Sequence, residues 1–499
     1  MLKKIVLNSG SNVALLFVKI ILTFIMAPVL IKNLGDYDYG LWEMLGAVIG
    51  YMGMLDLGIK PAIGRFAAKY NAEGDQDSQQ LMFSSAFIFM IFVGLLLAAT
   101  FLTIGLYYPE LLSGTESAPF RYSVLCFVLA GQFIFTFPGY VAESVLEGLQ
   151  QFHLRNMITL VNSLLGSFLI FNLITPQNGL VLLAGINAAG LSSKYVIYFY
   201  ILSKHKFGQL MPMKARFNWP LLKTLLVFGS KSLIQGIATR LESATDTLII
   251  GAVLGPATVP LYSIPANLVH YIRNIAQNMT QVFMPLFSEQ TALGKEDLII
   301  RIYFLGSKII VAISVLLGIG VILLGADFIG LWIGEKYAGH ATPLIIVLVS
   351  FTVLPLLNPF ASRYLTAINQ HGIFAKLMPI SAIMNLSLSL LLINNFGILG
   401  VAFGSLIPAT LFVPIYLNRC CRHLGIKMRD YIFAAVVPSI LPAGIMIGLM
   451  HTGLKYWDIH SFSDVIGLAV MGSSSFFVSF YFLGLTTVER LQIQQIYRR

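Results

Sequence analysis

Charge is scarce in this chain. Only 11% of its 499 residues are Asp, Glu, Lys or Arg, against roughly 25% in ordinary soluble domains. A water-soluble fold of this size lacks the polar surface to cover itself at that composition. Cysteine is scarcer still: Cys126 and the adjacent pair Cys420 and Cys421 complete the set of 3. They give neither a disulfide framework nor a metal-ligand spacing, and read as small apolar fillers. Long polar stretches are also missing. The longest connections, about residues 60–80 and 203–220, leave no room for an extramembrane catalytic domain.

Apolar residues take the place of all these. They make up 57% of the chain, the mean hydropathy is +0.81, and helix-spanning apolar runs recur about fourteen times. A bilayer core about 30 Å thick takes roughly 20 residues per helical crossing, and hydrocarbon offers unpaired backbone amides no partner. The fold class expected is therefore an all-α polytopic membrane protein. Spans are expected near residues 8–31, 39–59, 81–107, 122–146, 156–174, 179–202, 221–253, 259–287, 303–325, 342–368, 374–394, 398–417, 431–454 and 464–485, with kinks at Pro138, Pro265, Pro355 and Pro359. The first span follows a short Lys-bearing tail without a small-residue cleavage pattern and reads as a retained anchor.

Basic residues orient the spans. With both termini placed in the cytoplasm, and with Lys223, Lys308 and Lys376 in the cytoplasmic end turns of their spans counted with the inside loops, 22 of the 32 lysines and arginines fall inside, 4 in outside loops and 6 deeper within spans. The net charge of +10 follows from insertion and anionic headgroups rather than from nucleic-acid binding, and no aromatic-basic recognition motif is present. Between the second and third spans, Pro61–Tyr70 interleaves Ile63, Phe66 and Ala67 with Arg65 and Lys69, the pattern of an amphipathic helix lying on the inner leaflet.

An internal repeat organises the spans. Gly10-Ser11, Leu34-Gly35 and Leu41-Trp42 recur as Gly229-Ser230, Leu254-Gly255 and Leu261-Tyr262, about 220 residues later. An offset of six spans keeps both halves in one orientation, a parallel repeat about an axis normal to the membrane with a cavity between two lobes. The domains expected are 1–202 (N-lobe, six helices), 203–220 (cytoplasmic inter-lobe loop), 221–430 (C-lobe, six helices) and 431–499 (two further helices and a basic tail).

Ionisable groups deep in a span are costly and mark partners or wet cavities. The cations are Lys19, Lys194, Lys231, Arg240, Arg273 and Arg363, read as a cationic vestibule for an anionic substrate; the bland reading is ion pairs tying helices together. Lys194 and Arg363 lie within reach of the cytoplasmic face and could snorkel there. In the seventh span Lys231, Gln235, Thr239, Glu242 and Asp246 share a sector of about 80°, with Arg240 roughly opposite. Asn267, Asn274, Asn278 and Gln281 give the eighth span a polar face suited to sugars or to helix–helix bonds. Glu242 and Asp246, four apart, repel unless a proton or cation lies between them. They form a coupling-ion candidate together with Asp56, or else a counter-ion to Lys231 or Arg273.

The run Ile31-Lys32-Asn33-Leu34-Gly35 leading to Tyr39-Gly40-Leu41-Trp42 resembles the polysaccharide flippases of the MATE-like, multidrug/oligosaccharidyl-lipid/polysaccharide superfamily. So do Asn8-Ser9-Gly10, Leu55-Asp56-Leu57-Gly58-Ile59 followed by Arg65, Asp246-Thr247-Leu248-Ile249-Ile250-Gly251, and Phe328-Ile329-Gly330-Leu331-Trp332-Ile333-Gly334. The resemblance implies a non-enzymatic inner-membrane carrier moving undecaprenyl-pyrophosphate-linked repeat units to the outer leaflet by alternating access. It further implies no cofactor beyond a coupling proton or sodium ion, a functional monomer surrounded by membrane lipids, and a polysaccharide polymerase and chain-length regulator as partners. A drug exporter of the same fold is the nearest rival, although a cation-rich interior would repel its organic cations. A membrane-embedded polymerase is the second, although the outer loops are short for it.

Overall fold

The computed structural model describes residues 2–110, 119–204, 217–281, 283–368, 370 and 372–491. Most of the expected 203–220 loop, and the basic Arg498 and Arg499, lie outside the described residues. Helices account for nearly all the rest, and no strand occurs among the described residues. In chain order they are α1 (Leu2–Met52), α2 (Ile59–Glu73), α3 (Gln76–Tyr107), α4 (Pro119–Gly148), α5 (Phe152–Leu173), α6 (Gly179–Lys204), α7 (Trp219–Leu254), α8 (Val259–Gln281) and α9 (Phe283–Ala292). There follow α10 (Glu296–Trp332), α11 (Ala341–Leu356), α12 (Ala361–Ala367), α13 (Gly372–Phe396), α14 (Ile398–His423), α15 (Ile440–Tyr456) and α16 (Phe462–Ser479).

Among the described residues, 11 helices are long and apolar enough to cross a membrane. The first of these runs through Gly35, whose backbone (φ 73, ψ 175) breaks α1 into two crossing-length pieces. α7 and α8 occupy the places of the seventh and eighth expected spans, so each of the fourteen expected segments falls on helix. The chain leaves helical geometry between Leu356 and Ala361, where Pro359 stands, while Pro138, Pro265 and Pro355 are carried inside α4, α8 and α11.

The repeat is written in the backbone. Gly35 and Gly255 both adopt positive φ, as do Gly74 and Gly294, each pair 220 residues apart. α3 and α10 begin at Gln76 and Glu296, α5 and α13 at Phe152 and Gly372, again 220 apart; α6 and α14 correspond at an offset of 219. Contacts divide the chain into two compact units, Met1–Arg240 and Leu241–Arg499, with the division inside α7.

In the first unit α3, α4 and α6 form a close bundle around Phe83, Phe133, Phe137 and Tyr198. Helices in lipid gain no hydrophobic driving force from one another, so association depends on close packing and small residues. Gly139 of α4 supplies it: a methyl there would lie 2.1 Å from the Tyr195 ring of α6. α2 is the expected amphipathic helix, yet Ile59, Ala62, Ile63 and Ala67 are fully buried against protein. Protein and not lipid thus covers this face, because α4 brings Gly148 against the Gly64 carbonyl. In the second unit, α15 and α16 pack on α10 through Met446, Met450, Leu468 and Phe476.

Candidate functional site

Among the described residues of the second unit, the most deeply buried acid is Asp246 on α7, only 6% exposed. Its Oδ2 accepts the Tyr262 hydroxyl of α8 at 2.6 Å and the Ser405 hydroxyl of α14 at 3.1 Å. Ser405 in turn accepts from Asn385 Nδ2 of α13 at 2.7 Å. Four helices converge here for a local reason. Gly400 and Gly404, one turn apart on α14, face α13 so closely that added methyls would lie 2.3 Å from the Leu392 carbonyl and 2.2 Å from Ser389 Oγ. That approach brings Asn385 within reach of Ser405.

Two acceptors in this network, Asp246 Oδ1 and Asn385 Oδ1, are buried without a hydrogen-bond donor. A buried oxygen left unpaired costs about 1–3 kcal/mol, more when it carries charge. The arrangement therefore suits a proton on Asp246 or a small cation between oxygens. No cation lies within ion-pair distance of Asp246 among the described residues. Among the described residues no cluster of three His, Cys, Asp or Glu could hold a metal. All three cysteines are free and buried, as fillers would be.

The first unit holds a second buried constellation. Glu143 of α4 faces Lys194 of α6 at 3.8 Å and Lys60 of α2 at 3.7 Å. Lys194 also lies 4.4 Å from the Tyr195 ring centre, and Lys60 3.9 Å from that of Tyr140. Lys194 is thus held in an ion pair instead of snorkelling to the surface. Asp56, another expected ion ligand, is buried nearby in sequence, its Oδ1 accepting from the Gly58 N–H at 2.8 Å. That bond closes a left-handed turn at Leu57 and Gly58. The turn abuts α7 so tightly that a methyl on Gly58 would lie 2.2 Å from the Gly229 carbonyl. The motifs at Leu55–Ile59 and Gly229-Ser230 are therefore two sides of one contact.

The other expected residues lie on α1, α7, α8 and α12. Lys19 is exposed on α1 with no carboxylate in ion-pair distance among the described residues. The Arg240 guanidinium lies on the α1 backbone, 2.9 Å from where a Gly50 methyl would be, and the Arg240 carbonyl accepts the Tyr51 hydroxyl. Arg273 stacks 5.5 Å from the centre of Phe351, and Arg363 is half-buried on α12. Asn274, Asn278 and Gln281 are exposed on α8, with Asn267 half-buried. Lys231, Gln235 and Glu242 lie on α7, but their side chains fall outside the described residues.

Sequence reasoning did not single out Lys60, Ser405 and Asn385 as site residues. The signal for Asn385 was present, an amide inside the apolar run Ile380–Leu392. Lys60 and Lys308 were counted as ordinary inside-loop charges, although Lys308 is buried on α10.

A bundle of this kind, with 11 helices long and apolar enough to cross a membrane among the described residues and ionisable groups buried between them, defines a polytopic membrane protein. Residues 5–291 match the family model described as polysaccharide biosynthesis protein, more than half of the chain, and the protein belongs to that family. Across 99% of its length the chain is 20% identical to the uncharacterized membrane protein EpsK of Bacillus subtilis, covering 98% of that protein. It is also 20% identical to the probable flippase AglR of Haloferax volcanii, over 98% of this chain and 97% of that one. Among solved structures, the lipid II flippase MurJ in an inward closed conformation superimposes with a TM-score of 0.74, over 94% of this chain and 97% of that one, at 13% identity.

Proposed function

We propose that this protein is a flippase carrying lipid-linked oligosaccharide repeat units, built on undecaprenyl pyrophosphate, from the cytoplasmic to the outer leaflet of the inner membrane. The product would serve O-antigen, capsule or exopolysaccharide assembly, handed to a polysaccharide polymerase and its chain-length regulator. The observation that carries this reading is the family match combined with full-length similarity to a protein named as a probable flippase. Both termini lie in the cytoplasm on the strength of the basic-residue bias, and the monomer is the working unit, alternating access between the two faces of the membrane.

Lys19, Lys194, Lys231, Arg240, Arg273 and Arg363 are proposed to meet the pyrophosphate and acidic sugars, which ammonium and guanidinium groups suit by charge and geometry. Gln235, Asn267, Asn274, Asn278 and Gln281 would bond sugar hydroxyls. Asp246, with Glu242 and Asp56 as further candidates, would take the coupling proton or sodium ion. What supports Asp246 is its burial together with the two donor-less oxygens of its network.

The test is deletion of the gene followed by assay of surface glycan and of lipid-linked oligosaccharide in each leaflet. Loss of glycan with complete repeat units held on the cytoplasmic leaflet is the expected result. Single units accumulating on the outer leaflet would make the protein a polymerase or its partner, and normal glycan with drug-sensitive cells would make it an exporter.

A further inference from the structure

Lys308 sits within α10, 5% exposed, where a lysine is expensive to bury. Its ammonium donates to both carboxylate oxygens of Glu489, at 2.8 and 2.9 Å. Glu489 belongs to the short segment after the last span, and its carboxylate also accepts the Thr486 N–H at 2.7 Å and the Thr486 hydroxyl at 2.9 Å. The neighbouring Arg490 donates to the Phe482 and Leu485 carbonyls at 2.8 and 3.0 Å, covering acceptors that the end of the last span leaves open. A strap of six residues, Thr486–Leu491, is thereby fastened to the side of α10.

The internal repeat shows what this fastening adds. Position 308 corresponds to Ile88 on α3, and the α10 residues that pack against α15 and α16, Ala312, Val315 and Leu316, correspond to Phe92, Leu95 and Leu96. Those three α3 residues are 64%, 50% and 54% exposed, a face suited to lipid. The same helix face is thus bare in one unit and covered by the last two helices in the other, and only the covered copy carries a lysine. Lipid tails compete with apolar side chains for such a face on nearly equal terms. Apolar contact alone would leave the depth and rotation of α15 and α16 weakly determined, whereas a buried, multiply bonded ion pair is directional.

We propose that Lys308 and Glu489 are positioning residues forming a lock that holds the C-terminal helical pair, α15 and α16, in one fixed placement on α10. The lock is independent of what the protein transports.

The test is hydrogen–deuterium exchange on the purified full-length protein, comparing wild type with Glu489→Gln, Lys308→Met, the charge exchange Lys308→Glu/Glu489→Lys, and Thr486→Val. Either single neutralisation is expected to speed exchange at least tenfold in Thr486–Leu491 and along α16, with α3 and α4 unchanged. The charge exchange is expected to bring most of that protection back. Thr486→Val, which leaves the pair intact and removes one hydroxyl bond, is expected to give a smaller change of the same pattern, and decides the matter if a charge variant fails to accumulate. Unchanged exchange in the single variants would overturn the lock. So would an increase shared equally by α3 and α4, or a charge exchange no better protected than the singles. None of these readouts uses transport, so the result stands apart from the flippase reading.

Discussion

Glu143 illustrates how single residues divide into those that hold the protein together and those free to act. It is 15% exposed as a side chain and stands between two lysines drawn from two helices. Removing the carboxylate leaves Lys194 charged and buried, so Glu143→Gln should destabilise the first unit by roughly 3 kcal/mol, the usual scale for breaking a buried pair. Thermal unfolding in detergent should show this, and Lys194→Met in the same background should recover much of the loss. Asp246→Asn is expected to behave in the opposite way: the amide oxygen can still accept from Tyr262 and Ser405, so the protein should accumulate and melt normally. On the proposed ion-coupled reading, export should nevertheless stop, as it should when the proton or sodium gradient is collapsed, measured as surface glycan at matched protein level. Deep cations such as Lys194 and Arg240 were legible in the sequence from depth alone. Their surroundings were not, because Glu143 pairs with Lys194 only where α4 meets α6, and Gly50 makes room for Arg240 simply by lacking a side chain.

Among the helices, α2 and α3 show how local chemistry fixes an element and its neighbours. Asp75 caps α3, its carboxylate accepting the Ser78 N–H at 2.9 Å. Ser78, through its hydroxyl and then its backbone N–H, holds the Asp75 carboxyl below its ordinary value of 3.8. A carboxylate lowered on folding contributes stability that is complete above the unfolded value and is lost as pH falls through the folded one. The difference in melting temperature between wild type and Asp75→Ala should therefore be full at neutral pH and shrink below about pH 4. The turn at Gly58 gives a sharper test. Gly58 and Gly74 share nearly the same positive φ, 73° and 70°, but a methyl on Gly74 would meet nothing within 4 Å. Gly74→Ala should cost only left-handed strain, roughly 1–2 kcal/mol. Gly58→Ala should cost visibly more in thermal unfolding, because the methyl would collide with the Gly229 carbonyl. The amphipathic pattern of α2 was readable as a helix, yet periodicity carries no information on whether lipid or protein covers the apolar face, and here it is protein.

For the whole molecule, hydropathy located the 11 helices that are long and apolar enough to cross a membrane among the described residues, since crossing length and apolar composition are one-dimensional properties of a chain in a bilayer. The repeat was also visible, because Leu-Gly pairs at the ends of spans mark places where only glycine accepts the backbone that Gly35 and Gly255 adopt. Convergent polar networks such as that of Asp246, Tyr262, Asn385 and Ser405 were not visible, as their members come from four helices spread over 160 residues. Orientation yields a direct prediction. Single cysteines replacing Tyr108 and Tyr456, both well exposed, should react with a membrane-impermeant maleimide added to intact cells, whereas one replacing the exposed Leu293 should react only after permeabilisation. The reverse pattern would invert the assigned topology.

The contact between Gly58 and Gly229 also sets an order of events during synthesis. The turn before α2 is made early, yet the surface that seats it is supplied by α7, some 170 residues later. Until the ribosome has delivered Gly229 to the membrane, the first unit waits with an open flank. A truncated chain released after α6 would keep that flank uncovered, a natural target for membrane quality-control proteases, whereas one extending through Arg240 would carry its own seal.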